Sequence, residues 1–116
     1  MDKDIYRALI IRKPWIDLIL SGRKTWEMRS RPTNIRGRIG LIEQGSGFIV
    51  GECNLDHCGE SITNYNLGWG DHLHLISDRD LLVKWHVPWV LSCARRYEKP
   101  IPYKHPRGAV TWVKLK

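Results

Sequence analysis

Lys24, Glu27 and Arg29 fall within the stretch "SGRKTWEMRS", Ser21 to Ser30, beside Thr25 and Trp26. A lysine supplies a compact cation, an arginine a planar fork for phosphate or carbonyl, and a glutamate an acceptor for an exocyclic amine or a proton. That set matches a nucleotide. Lysine with glutamate also permits acid–base chemistry, provided burial brings a pKa toward neutral. The competing reading is an exposed Glu27–Arg29 pair on a solvated strand, worth less than about 1 kcal/mol. Two features weigh against it. The triplet follows a helix ended by Gly22, so Lys24 stands at a corner where its side chain can turn toward a cleft, and the strand lies early in a chain whose ends are basic.

Aromatic residues extend the candidate set. Trp26 and Trp112 read as core residues. Trp15 on the first helix and Trp69 in "NLGWGD" offer faces for base stacking, with core packing the stronger reading for Trp15 and an even balance for Trp69. His72 and His74 in "DHLHL" read as sharing a strand-like face, but no third ligand stands at useful spacing, so no metal site is expected. Cys53 and Cys58 flank His57 without a second knuckle, which favours buried structural thiols over zinc. There is no G-x-S-x-G elbow, no phosphate loop and no H-E-x-x-H, and "GSG" at Gly45 to Gly47 is too short to cradle a phosphate by itself. No cofactor is expected.

The elements that must position these groups follow from periodicity. "YRALIIR" reads as a buried strand, Pro14 suits the first turn of a helix over 14–21, and Gly22 suits its left-handed stop. From Lys24 the pattern alternates, with Glu27 and Arg29 on one face. "RIGLIEQ", "GSG" and "FIVGECNLDHC" predict a hairpin, with Gly51 at a bulge or close backbone approach. Residues 59–77 read mostly as loop with one short helix. Ser77 and Asp80 resemble a capping box opening a helix near 78–85, and "VPWVLSCARRYEKPIPY" and "GAVTWVKLK" close the chain as strands. Short strands outnumber helices, which predicts an α+β fold: a small mixed, mostly antiparallel β-barrel with two or three peripheral helices. Closure would also remove exposed edges.

Composition bounds the rest. The 116 residues, 42% of them apolar, are expected to form one domain over 1–116. The absence of a long apolar run or an apolar leader, with three unpaired cysteines, predicts a soluble, cytoplasmic protein without a membrane partner. The net charge of +7 is unevenly spread: Lys and Arg against Asp and Glu number ten to four over 1–40, one to seven over 41–80 and eight to one over 81–116. If the two ends lie side by side, they sum to a basic face suited to a polyanion.

The residues "IIRKPWIDLILSGRKTWEMRSRPTNIRGRIGLIEQGSGFIVG" resemble the ASCH domain family, a branch of the PUA-like superfamily. The resemblance is carried by the "KPW" helix start, the G-x-K-x-x-E-x-R motif over Gly22, Lys24, Glu27 and Arg29, the "RG" turn at Arg36 and Gly37, and the glycine-containing hairpin, with "KPIPYKHPRGAVTWVKL" similar to the last two strands. It implies a small barrel with a cleft that holds Lys24, Glu27 and Arg29, and binding of single-stranded RNA or a nucleotide. Arg36, Ser46, Trp15 and Trp69 complete the candidate binding set. Some bacterial members hydrolyse N4-acetylcytidine with the motif lysine, a threonine three residues on and a later glutamate; others are described as ribonucleases. Here Glu27 stands in the threonine's place and Glu60 is the candidate for the later glutamate, so a hydrolase would have to use Lys24 and Glu27 as an acid–base pair.

Overall fold

The computed structural model describes all 116 residues. Its strands are β1 (Arg7–Ile11), β2 (Trp26–Arg29), β3 (Gly37–Glu43), β4 (Phe48–Cys58), β5 (Val87–Pro102) and β6 (Trp112–Lys114). Three short helices, α1 (Trp15–Leu20), α2 (Asp71–His74) and α3 (Arg79–Lys84), flank them. The strands form one six-stranded sheet in the order β2-β5-β4-β3-β1-β6, in which only β1 and β3 run parallel. The sheet curls into a half-barrel, so the predicted small α+β barrel and its helix count stand.

β1 reads as an unbroken apolar run because it is buried on both sides. Leu9 and Ile11 join the main core under α1, while Ala8 and Ile10 join a second cluster with Ile42, Ile49, Tyr97 and Val113. α1 contributes Ile16, Ile19 and Leu20 to the main core, a spacing that puts all three on one helix face. The helix begins at Trp15, one residue after the expected Pro14, and Gly22 turns the chain at φ +82°. Gly51 lies at a register shift between β4 and β5; a Cβ there would meet Leu20 Cδ2 at 2.4 Å and the Arg95 carbonyl at 2.5 Å. The predicted bulge is therefore what lets α1 and β5 close on β4.

Three local expectations need correction. Asp78, not Ser77, caps α3, because its carboxylate accepts the Asp80 N–H at 2.9 Å. His72 and His74 lie on the helix α2 rather than on a strand, so they do not share a face; His74 is fully buried and His72 is not. Of the cysteines only Cys53 is buried, and Cys93 is exposed at φ +52°, in the middle of the long bent strand β5.

The barrel does not close through backbone hydrogen bonds. β2 ends the sheet on one side and β6 on the other, and no ladder joins β2 to β1 or β6. Side chains span this seam instead: Arg29 Nη2 donates to the Ile10 carbonyl at 2.9 Å, and Trp89 of β5 stacks on Trp112 of β6 with centroids 5.9 Å apart. The first and last strands pair antiparallel, so the two basic ends of the chain do lie side by side. No helix is long and apolar enough to cross a membrane.

Candidate functional site

A cavity of about 240 Å³ opens in the seam. Ile10 of β1 and Arg12 just beyond it form one wall, and Glu27, Met28 and Arg29 of β2 form the other; Trp15, Ile76 and Trp85 line the space between. An unpaired strand edge at a rim needs partners for its polar groups. Arg29 supplies one for Ile10, and in doing so it is fixed at the mouth of the cavity.

Glu27 and Arg29 share a face, as their spacing predicts. Glu27 Oε2 accepts from both Arg29 Nε at 3.2 Å and Arg29 Nη2 at 2.9 Å. Glu27 is 6% exposed, and the guanidinium lies 5.5 Å from the Trp89 ring centroid. The pair leaves capacity unspent: Glu27 Oε1 and Arg29 Nη1 have no protein partner. An acceptor and a donor thus stand side by side against aromatic and aliphatic walls. This edge complements a planar ring bearing an N–H beside a carbonyl or ring nitrogen.

Lys24 lies behind this edge rather than on it. Its side chain is 1% exposed, with Nζ donating to the His74 carbonyl at 2.5 Å and standing 5.1 Å from the Trp15 centroid. Burial pushes its pKa down to about 8; Glu27 opposes the shift and Arg29 adds to it. Lys24 and Glu27 make no ion pair, so the field of the carboxylate reaches the amine across a gap. α2 is held over the lysine by the Thr25 N–H, which donates to the Leu73 carbonyl at 3.0 Å, and by Gly70, where a Cβ would meet the Trp26 ring at 2.3 Å. His74 Nδ1 accepts the Ile76 N–H at 2.9 Å, and burial, then the neighbouring Lys24, lowers the His74 pKa.

The other expected residues separate into those at the cavity and those away from it. Trp15 lines the cavity while packing on the core. Arg36 is exposed and folds back on the Thr33 and Ile35 carbonyls at 2.6 and 2.7 Å. Ser46 spends its hydroxyl on the Glu43 carbonyl at 2.7 Å, within its own turn. Trp69 is 75% exposed in the turn before α2, and Glu60 is exposed; neither lines the cavity. Trp26 and Trp112 are half-buried against core clusters, close to the expectation. No three His, Cys, Asp or Glu side chains cluster as metal ligands would. Arg12 and Trp85 were not expected at the cavity, and the guanidinium of Arg12 lies 5.3 Å from the Trp85 centroid. Their pairing joins β1 to the end of α3, a contact between distant parts of the chain that no short-range pattern encodes.

The ASCH domain family model matches residues 9–101. No curated protein matches the chain. Among solved structures, the chain is similar to ASCH from Zymomonas mobilis, with a TM-score of 0.72 and 15% identity over 95% of this chain and 87% of that one. A Tyr-to-Phe mutant of that protein gives a TM-score of 0.70 at 16% identity, covering 95% and 89%. These likenesses carry the fold.

Proposed function

The chain belongs to the ASCH domain family, and on that premise we propose that the seam cavity binds a nucleotide of single-stranded RNA. The base enters the seam with its polar edge on Glu27 Oε1 and Arg29 Nη1 and its faces toward Trp15 and Trp85. Arg12 at the rim meets the phosphate, and Lys24 supplies positive potential from behind. A slot that admits one splayed base suits single strands better than a duplex. The reading is carried by one observation, the buried Glu27–Arg29 pair with an acceptor and a donor left over at a cavity wall.

Fluorescence anisotropy with a labelled single-stranded RNA tests it. Wild type should bind, affinity should fall as salt rises, and Arg29→Ala should weaken binding. Equal affinity in Arg29→Ala and in the double variant with Lys24→Ala would remove the cavity from consideration.

A second reading is hydrolysis of a modified nucleoside or of RNA in the same cavity, with Lys24 and Glu27 as the acid–base pair. It is favoured by the Lys24 pKa of about 8, which leaves a fraction of neutral amine near neutral pH. Turnover of N4-acetylcytidine followed by mass is the direct assay, with total RNA incubated in parallel. Glu27→Gln should abolish product while leaving binding mostly intact, and undiminished turnover in that variant would exclude the pair.

A further inference from the structure

The seam cavity is not isolated. A second chamber of about 370 Å³ is lined by Gly45, Gly47, Tyr103, His105 and Ala109, and it shares Ile10, Gln44 and Val110 with the first. Those three residues form a saddle between the chambers. The first chamber, at about 240 Å³, falls below the roughly 300–1,000 Å³ that encloses a drug-sized ligand, a size that suits a base with its sugar and phosphate outside. Whatever is attached to that base must leave the chamber. The saddle gives it a protein-lined path.

The second chamber is built before any ligand arrives. His105 Nε2 lies 2.9 Å from the Ala109 carbonyl, which can only accept, so Nε2 carries a proton. In the neutral ring Nδ1 then accepts from the Tyr103 hydroxyl at 2.7 Å. The two bonds brace the loop from Tyr103 to Ala109 and hold the Tyr103 ring, which also packs on the second apolar cluster, at the chamber wall. Beside it, where the Tyr103 N–H donates to the Gly47 carbonyl at 3.2 Å, Gly45 and Gly47 both take φ near +80° and neither spends its own N–H on a protein acceptor. Free backbone donors without Cβ atoms allow an anionic group to approach the turn closely. Lys104 and Arg107 of the same loop are exposed and make no ion pair.

We propose that the second chamber is a subsite for the adjoining nucleotide of a single-stranded RNA, its base stacked on Tyr103 and the linking phosphate crossing the Gln44–Val110 saddle toward the Gly45 and Gly47 amides. The proposal rests on the reading of the first chamber as a base site, and it makes the ligand a chain of at least two nucleotides rather than a free nucleoside.

The test compares a 5′-mononucleotide with a dinucleotide and a short single-stranded RNA, by calorimetry or competition anisotropy. Wild type should bind the dinucleotide roughly tenfold more tightly than the mononucleotide, the scale of one added base–aromatic stack. Tyr103→Leu keeps apolar packing but lacks a stacking face, and it should bring the ratio of the two affinities close to one; Tyr103→Phe loses the His105 bond but keeps the ring and its packing on the second cluster, and should preserve most of the ratio. Val110, 81% exposed, gives a variant with little demand on the core: Val110→Asp should lower dinucleotide affinity through repulsion of the linking phosphate. Equal wild-type affinity for mononucleotide and dinucleotide would overturn the subsite while leaving the first chamber's role intact. An undiminished ratio in Tyr103→Leu would do the same, and failure of wild type to bind either ligand would overturn both readings.

Discussion

Two buried carboxylates sit among arginines in this molecule, and they have opposite characters. Glu52 on β4 is 2% exposed and fully engaged: Oε2 accepts from Arg38 Nε at 2.5 Å and Oε1 from Arg95 Nη2 at 3.0 Å. Arg38 spends its Nη1 on Asn54 Oδ1 and the Cys93 carbonyl, tying three strands together. Burial alone would raise the Glu52 pKa, but the arginines, with Tyr97 alongside, hold it below the ordinary value. The Tyr97 hydroxyl itself makes no hydrogen bond of good geometry. Glu27, by contrast, uses one oxygen on Arg29 and leaves the other facing a cavity. A saturated ion cluster staples a fold, whereas an unsaturated one beside empty volume is equipped to receive something. Charge and burial are the same in both; the remaining hydrogen-bonding capacity is what separates them.

Glu52→Ala strands the half-buried Arg38 without its partner and should cost about 3–5 kcal/mol in urea denaturation, while RNA affinity measured well below the unfolding transition stays close to wild type. Loss of binding equal to that of Arg29→Ala would mean that the two clusters are not distinct in role.

Lys24 sharpens the contrast through pH. Its folded pKa, about 8, lies below the ordinary 10.5, so between these values the unfolded chain binds a proton that the folded chain does not. Stability from this group therefore rises with pH across that window, by about 3 kcal/mol when complete. Cys53, pushed up to about 12 by burial, acts in the opposite sense above pH 9. The difference between wild type and Lys24→Met isolates the lysine: wild-type stability minus that of the variant should rise from pH 7 to 9 in chemical denaturation. Parallel curves would show that the amine is not desolvated.

Arg29→Ala should weaken RNA binding by about 2 kcal/mol, the scale of a hydrogen bond to a charged group, and should also cost some stability because the Ile10 carbonyl loses its donor. The smallest effect is expected outside both clusters. Trp69→Ala should change unfolding free energy by less than about 0.5 kcal/mol, and its effect on affinity decides whether this exposed ring reaches the RNA.

Alternation alone put Glu27 and Arg29 on one face, and the glycine-ended helix put Lys24 at a corner, because both relations span a few residues. The lysine's burial was not legible, since it comes from α2, fifty residues later, lying over it. The seam was hidden for the same reason: the hydrophobic pattern specifies strands but not which two fail to pair. Arg36 and Ser46 are the right residue types at the right turns, yet each satisfies its own backbone locally, a competition that composition cannot decide. Glu52 did leave a trace. A glutamate inside "FIVGECNL", opposite a strand carrying Arg38, is a charge where the pattern demands an apolar residue or a paired one.

The seam has one more property, which concerns the connectivity of the chain. Its two lips, β1 and β2, are four positions apart in the order of the sheet, yet they are consecutive in sequence, strapped together by residues 12–25. The lips are thus joined by a short covalent connection that carries α1, and not by a ladder. Loop-closure entropy grows only logarithmically with length, about 0.6 kcal/mol for each doubling, so lengthening the strap at its exposed turn, residues 21–23, clear of the core-packed α1, would barely register in a melting curve while loosening the grip on whatever the slot holds. In this one segment, tolerance of the fold and fitness of the site come apart.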